Sequence, residues 1–169
     1  MKAQISFVEF LTSILIFITF VGYFSLQILV FVPSYINEIT GERLRSEAFQ
    51  LSELLINDPG QPLNWHLDFL NAERIGLSDH TLNRTNLLSG AKISVLNSKC
   101  QENYDNIKSL LGTDYDFLIL LIEGGTGELK INCHPTVTKF RQFNTTIKRV
   151  VAYNEDGTIK YGEMILQVW

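Results

Sequence analysis

Charge is missing from one long stretch of this sequence: between Glu9 and Glu38 there is no Asp, Glu, Lys or Arg. At about 1.5 Å per residue, Phe10 to Val32 would span roughly 34 Å as a helix, enough for a hydrocarbon core of about 30 Å. Thr12, Ser13, Thr19, Ser25 and Gln27 interrupt a run otherwise filled mostly by Leu, Ile, Phe and Val, the residues that favour insertion. Two marks of a cleaved secretory signal are also absent: an apolar core of only about 7 to 15 residues, and a small-residue cut site behind it. The segment is expected to remain as a membrane anchor.

Histidine is scarce and cysteine scarcer. The chain has His66, His80 and His134, and Cys100 and Cys133. No His-x-x-x-His or paired Cys-x-x-Cys occurs, so no pair has the spacing of a metal-ligand set. Cys133-His134 joins a thiol to an imidazole, but neighbours on a strand face opposite ways and are poorly placed for proton transfer. Gly124-Gly125-Thr126-Gly127 lacks the following helix and lysine of a phosphate loop and reads as a turn. Neither catalysis nor a cofactor is expected. Basic charge is not in excess either: 14 Lys and Arg against 18 Asp and Glu leave a net charge of −4, which argues against nucleic acid as a partner. Internal repeats and low-complexity tracts are absent.

The two cysteines lie on the same side of the anchor as two acceptor sequons, Asn83-Arg84-Thr85 and Asn144-Thr145-Thr146. Two free buried thiols would fit the composition. A bridge between Cys100 and Cys133 would persist only in an oxidising compartment, and would contribute about 3.5 to 4 kcal/mol by the chain-entropy argument. The anchor and the sequons favour the bridge. Basic residues orient the anchor only weakly, with Lys2 before it and Arg43 and Arg45 beyond it; the sequons and cysteines supply the reason to place the C-terminal part outside.

Past Pro33 the continuous apolar run becomes a stripe, Ile36, Thr40, Leu44, Ala48, Leu51 and Leu55, spaced as on one face of a helix. Asn57-Asp58-Pro59-Gly60 should end that helix, because proline disfavours helical geometry in the residue before it and glycine suits the turn. Membrane helix and surface helix thus form one stem, with Pro33 a candidate kink. In the head, Thr85 would cap a helix through Leu87, Leu88 and Ala91 towards Leu96, weakened by Gly90. Glu102 to Leu111 should form a second helix, ended by Gly112. The period then changes to that of strands: "YDFLILLIE" and "LKINC" joined by a glycine-rich turn, then "TTIKRVVAYN" and "IKYGEMILQVW" joined by "EDGT". Helices first and antiparallel strands afterwards imply an α+β head on a long N-terminal helix.

The opening "KAQISFVEF" resembles the class III signal peptide of archaeal type IV pilin-like proteins: a basic residue, a small residue, then Gln-x-Ser and Glu-Phe leading into an apolar helix. Lys2, Ala3, Gln4, Ser6, Glu9 and Phe10 match in type and order, with one extra residue between Ser6 and Glu9. The passage "ELLINDPGQPLNW" to "ERIGLSD" and the strand-rich C-terminal part are similar to the stem-to-head region of the same family. The resemblance implies a prepilin peptidase cut between Ala3 and Gln4, making Glu9 the sixth mature residue where the family has the fifth; a cut before Ile5 restores the fifth but loses the match at Gln4. It further implies a leader 1–3, a stem 4–57 and an extracellular head 58–169. As partners it implies the membrane, other pilin subunits, the peptidase and the pilus assembly machinery. Glu9 would meet the N-terminal amine of a neighbouring subunit and set the register of packing. Otherwise Glu9 is a helix-end charge at the membrane interface. A permanently anchored surface-binding protein that never polymerises is the alternative from another class.

Overall fold

The computed structural model describes residues 2–81, 86–136 and 144–169, and the side chains of the first helix from Phe7 onward. Helix α1 covers Lys2–Asn57 in one run with Pro33 inside it, so the stem reading holds as a single element. The chain divides into two compact units, Met1–Thr40 and Gly41–Trp169.

In the first unit every described side chain from Phe7 to Val32 is exposed except half-buried Gln27. This stretch is long and apolar enough to cross a membrane. Three of the four hydroxyls that lower its hydrophobicity are satisfied within the helix. Thr12 donates to the carbonyl of Val8, Thr19 to that of Leu15 and Ser25 to that of Val21, at 2.8 to 3.0 Å. A hydroxyl already bonded one turn back carries no unmet donor into lipid, which removes much of its insertion cost.

The second unit takes its first core residues from the end of α1. Leu44, Ala48, Leu51, Leu55 and Ile56 are buried, three or four residues apart apart from the last, as the apolar stripe requires. Ile36, at the start of the expected stripe, is exposed. Strand β1 (Leu87–Ser89), helix α2 (Gly90–Glu102) and helix α3 (Tyr104–Leu111) follow. Strands β2 (Phe117–Glu123), β3 (Leu129–Cys133), β4 (Thr145–Glu155) and β5 (Thr158–Val168) complete the unit. In β2 alternate residues are buried, so Phe117, Ile119 and Leu121 enter the core while Leu118, Leu120 and Ile122 lie on the other face.

The fold is α+β, but the sheet is mixed where an antiparallel one was expected. Its order is β1-β4-β5-β2-β3, and β1 runs parallel to β4 through Leu87–Ala152, Leu88–Tyr153 and Ser89–Asn154. The other three pairings are antiparallel. The expected helix through Leu87 and Leu88 is therefore a strand followed by a helix. Leu87 and Leu88 are buried by pairing with β4, and that tertiary gain overrides the helical propensity of leucine. Gly90 explains the change of element. It opens α2 against β4, where a Cβ would stand 2.6 Å from the carbonyl oxygen of Asn154. The expected cap, Thr85, lies outside the described residues. The next helix also begins later than expected, because α2 itself continues to Glu102. Asn103 separates the two helices and accepts a hydrogen bond from the backbone N–H of Asn106, a side-chain N-cap. Gly112 closes α3 in the left-handed conformation, φ 69°.

Both hairpins form as the turn residues dictate. Asp156 and Gly157, with φ 51° and 82°, join β4 to β5 in the two-residue turn that matches strand twist. Cys100 on α2 and Cys133 at the end of β3 are bonded, with Cα atoms 5.5 Å apart. The bridge fastens a helix to the edge strand of the sheet.

Candidate functional site

Three places on the chain gather candidate residues: two hold residues singled out by the sequence, and the third is a charged cluster that the sequence did not announce. Ala3 and Gln4 lie on the first turns of α1, and their side chains are outside the described residues. Glu9 and Phe10 are exposed on the same helix, and among the described residues no cation lies within ion-pairing distance of Glu9. Among the described residues Glu9 thus offers an unpaired carboxylate at the edge of an exposed apolar stretch.

Asn144 is exposed immediately before β4, as an acceptor for a glycan must be. Asn83 lies outside the described residues. Beside Asn144, a groove of about 760 Å³ runs between the last turns of α1 and the start of β4; Glu42, Arg45, Phe49, Thr145, Lys148 and Arg149 are among its lining residues. Arg149 fixes its floor. One guanidinium nitrogen donates to the Glu53 carboxylate at 2.5 Å and to Ser52 Oγ at 3.4 Å, while the guanidinium carbon stands 4.9 Å from the centroid of the Phe49 ring. Carboxylate, hydroxyl and aromatic face together hold one cation in place.

The third place is where the inner face of the sheet changes from apolar to charged. Glu123, Glu155 and Lys160 continue that face at one end, and an irregularity in the β2–β3 register at Leu121/Ile122 brings Lys130 to the same group. Lys160 Nζ lies 2.7 Å from Glu155 and 3.2 Å from Glu123. Lys130 Nζ reaches Glu128 at 3.1 Å, Glu155 at 3.5 Å and Glu123 at 3.6 Å. Burial pushes the Glu123 carboxyl up, but Lys160 and Lys130 outweigh it and hold that carboxyl below its usual range. Hydrogen bonds to Glu155 and Glu123 hold the Lys160 ammonium above its usual range. Among the described residues the buried hydroxyl of Tyr153 has no partner within hydrogen-bond geometry, although Glu123 is near enough to help burial raise its pKa. Charges matched in this way close the open end of a core; each carboxylate is already committed to a lysine.

Two further features escaped sequence reading. Lys92 is 1% exposed, and its Nζ donates to the carbonyls of Pro59 at 2.7 Å and Ser78 at 2.9 Å. Burial lowers its pKa against the pull of Asp79 and Asp58. It ties α2 to the loop that leaves α1. In the same loop Trp65 is fully buried and donates its indole N–H to the carbonyl of Gly76 at 2.9 Å. Gly76 is required there, since a Cβ would collide with the Asp58 carbonyl. A lysine in a helix reads as solvent-facing, and only the loop carbonyls opposite it, remote in sequence, show otherwise.

His80 and His134 are exposed; His66 is half-buried, its Nδ1 without a partner among the described residues and its pKa lowered by burial, by Lys92 and by His80. The Cys133 sulfur is consumed by the bridge to Cys100, so Cys133-His134 holds no free thiol. Among the described residues no three His, Cys, Asp or Glu side chains gather to hold a metal ion. No protein-family model matches this chain, and comparison with curated proteins and with solved structures finds no match.

Proposed function

We propose that the protein is a structural subunit of an archaeal type IV pilus-like surface filament, held in the membrane as a precursor and assembled through α1. The observation that carries this reading is the state of the helix from Phe7 to Val32. Its described apolar side chains are exposed, and α1 runs unbroken to Asn57, its last turns supplying Leu44, Ala48, Leu51 and Leu55 to the core of the head. Such a surface must be covered by lipid, by other copies, or by each in turn. The resemblance of "KAQISFVEF" to a class III signal peptide supports the alternation, and Glu9 supplies a charge whose neutralisation fixes one axial register. The disulfide and the exposed Asn144 are suited to a head that works outside the cell.

Glu9→Gln in the full-length chain tests the reading. The variant should insert, since removing charge lowers the insertion cost. Its incorporation into sheared surface filaments, relative to subunit in membranes, should fall at least about tenfold, because the amine it would have met is left uncompensated at about 3 to 5 kcal/mol. N-terminal sequencing of the same material should begin at Gln4. A Gln variant that assembles like the wild type removes the registry role; an intact Met1 in cells that contain the peptidase favours a permanent surface anchor.

A further inference from the structure

The polar side chains within the uncharged run of α1 divide into two sets. Thr12, Thr19 and Ser25 each donate a hydroxyl proton to a carbonyl one turn back. Ser13, Tyr23 and Gln27 make no side-chain hydrogen bond among the described residues. Val21 is the middle of the run from Phe10 to Val32, so at about 1.5 Å per residue Tyr23 stands roughly 3 Å from that level along the axis and Gln27 roughly 9 Å. Both levels fall inside a hydrocarbon core of about 30 Å. A phenol hydroxyl, and still more a carboxamide with two donors and an acceptor, is costly there without a partner.

The unpartnered set also shares one stripe. Ser13, Phe20 and Gln27 follow one another at intervals of seven, and Ile16, Tyr23 and Val30 follow at the same interval three residues on. All are exposed except the half-buried Gln27. That spacing keeps a stripe turned towards one neighbour when two helices coil left-handed about each other. The self-bonded Thr12, Thr19 and Ser25 occupy none of these positions.

We propose that this stripe pairs two copies of α1 in the membrane, parallel and level, with their Gln27 carboxamides hydrogen-bonded to each other. A carboxamide both donates and accepts, so it complements its own kind. Every copy inserts in the same direction, and a second copy therefore presents a serine, a tyrosine and a glutamine at the same three depths. Lipid tails offer no polar partner at any of them. Equivalent residues meet across a two-fold axis, which closes the assembly at two. The pair rests on α1 spanning a membrane and not on the filament reading. Glu9 separates the two, because it continues the line of Ile16, Tyr23 and Val30 one heptad earlier. In a level pair two Glu9 charges meet and oppose association, whereas in the filament Glu9 meets an amine at Gln4, roughly 8 Å along the axis, between staggered helices.

The test is disulfide trapping of the full-length protein in native membranes with a membrane-permeant oxidant. Ile16→Cys and Val30→Cys, on the stripe, should each give reducible dimers at least about fivefold more abundant than Ile18→Cys and Leu29→Cys, which lie at similar depths on the opposite side. Adding Gln27→Leu to Val30→Cys should lower its dimer about fivefold or more, and Gln27→Asn should keep part of it. An intact Cys100–Cys133 bridge is the control for folding of the head. Equal dimer from all four positions means random collision and overturns the proposal. So do stripe cysteines that stay monomeric, a product whose mass is not twice that of the chain, which would name another membrane helix as the partner, and a Gln27→Leu variant that pairs like the parent. Adding Glu9→Gln to Val30→Cys should leave the dimer undiminished; a loss overturns the pair whatever happens to surface filaments. Filaments that survive Glu9→Gln beside an undiminished dimer uphold the pair and sink only the registry role of Glu9.

Discussion

Opening the bond between Cys100 and Cys133 should lower the stability of the head by an amount that the fold sets. The bridge closes a separation of 33 residues. Loop-closure entropy for that length is about 12.5 cal/mol/K, which at 25 °C is about 3.7 kcal/mol. Domains of this size are stable by about 5 to 15 kcal/mol, so the loss is a large fraction of the whole. Both cysteines are buried, at 3% and 0% exposure, and replacing both by alanine also deletes two packed sulfur atoms, adding about 1 kcal/mol each by the cavity argument. Reduction of the wild type and the Cys100→Ala, Cys133→Ala pair should therefore differ by about 2 kcal/mol, with the oxidised protein above both. Urea unfolding of the full-length chain in mild detergent, followed by the fluorescence of buried Trp65 and Trp169, measures this directly. An unbridged chain is more expanded when unfolded, so the slope m should rise as the midpoint falls. Oxidised and reduced proteins with free energies within about 1 kcal/mol and equal slopes would refute the argument, since the bridge would then constrain nothing in the unfolded state.

Lys92→Met keeps the apolar stem but leaves the carbonyls of Pro59 and Ser78 without their donor, and should cost about 2 to 4 kcal/mol in the same urea assay; a neutral result would mean that relief of a buried charge matches both lost bonds. The Tyr104 hydroxyl accepts from the Phe117 N–H at 2.7 Å and donates to the Phe117 carbonyl at 3.2 Å, and burial, opposed only in part by that bonding, pushes its pKa from 10.0 to about 12. Between those values the unfolded chain has lost a proton that the folded chain keeps, so stability should fall as pH rises through that interval. Tyr104→Phe should flatten part of the fall, leaving the shares of Tyr153, Lys130 and Lys160, and urea midpoints across the interval decide it.

The legible parts of this fold are those whose signal is local. The uncharged run and the stripe beyond it fix α1 because periodicity over many residues has few competing explanations. Asp156-Gly157 fixes the β4–β5 hairpin because its backbone suits few other turns. Strand β1 was illegible for the opposite reason. It has three residues, its partner Ala152–Asn154 is far along the chain, and its leucines favour helix when read alone. The parallel pairing that made the sheet mixed was hidden with it. At the candidate site the cysteine pair was readable from compartment, whereas the cage around Arg149 was not. Phe49 and Glu53 lie on a helix and Arg149 on a strand about a hundred residues later, and no spacing rule connects them.

The position of β5 constrains how the head comes into being. It is the last described strand in chain order, yet it lies between β4 and β2, pairing with β4 along its whole length and with β2 from Gly162 to Val168. Until Val168 has emerged from the ribosome, β4 with β1 on one side and β2 with β3 on the other have no strand between them. The apolar inner faces of both halves must wait together with the end of α1, and the pairings that finally close the sheet are distant in sequence and slow to find. Synthesis therefore completes α1 well before the head can fold, so the long apolar helix has emerged while the domain that follows it is still an open chain.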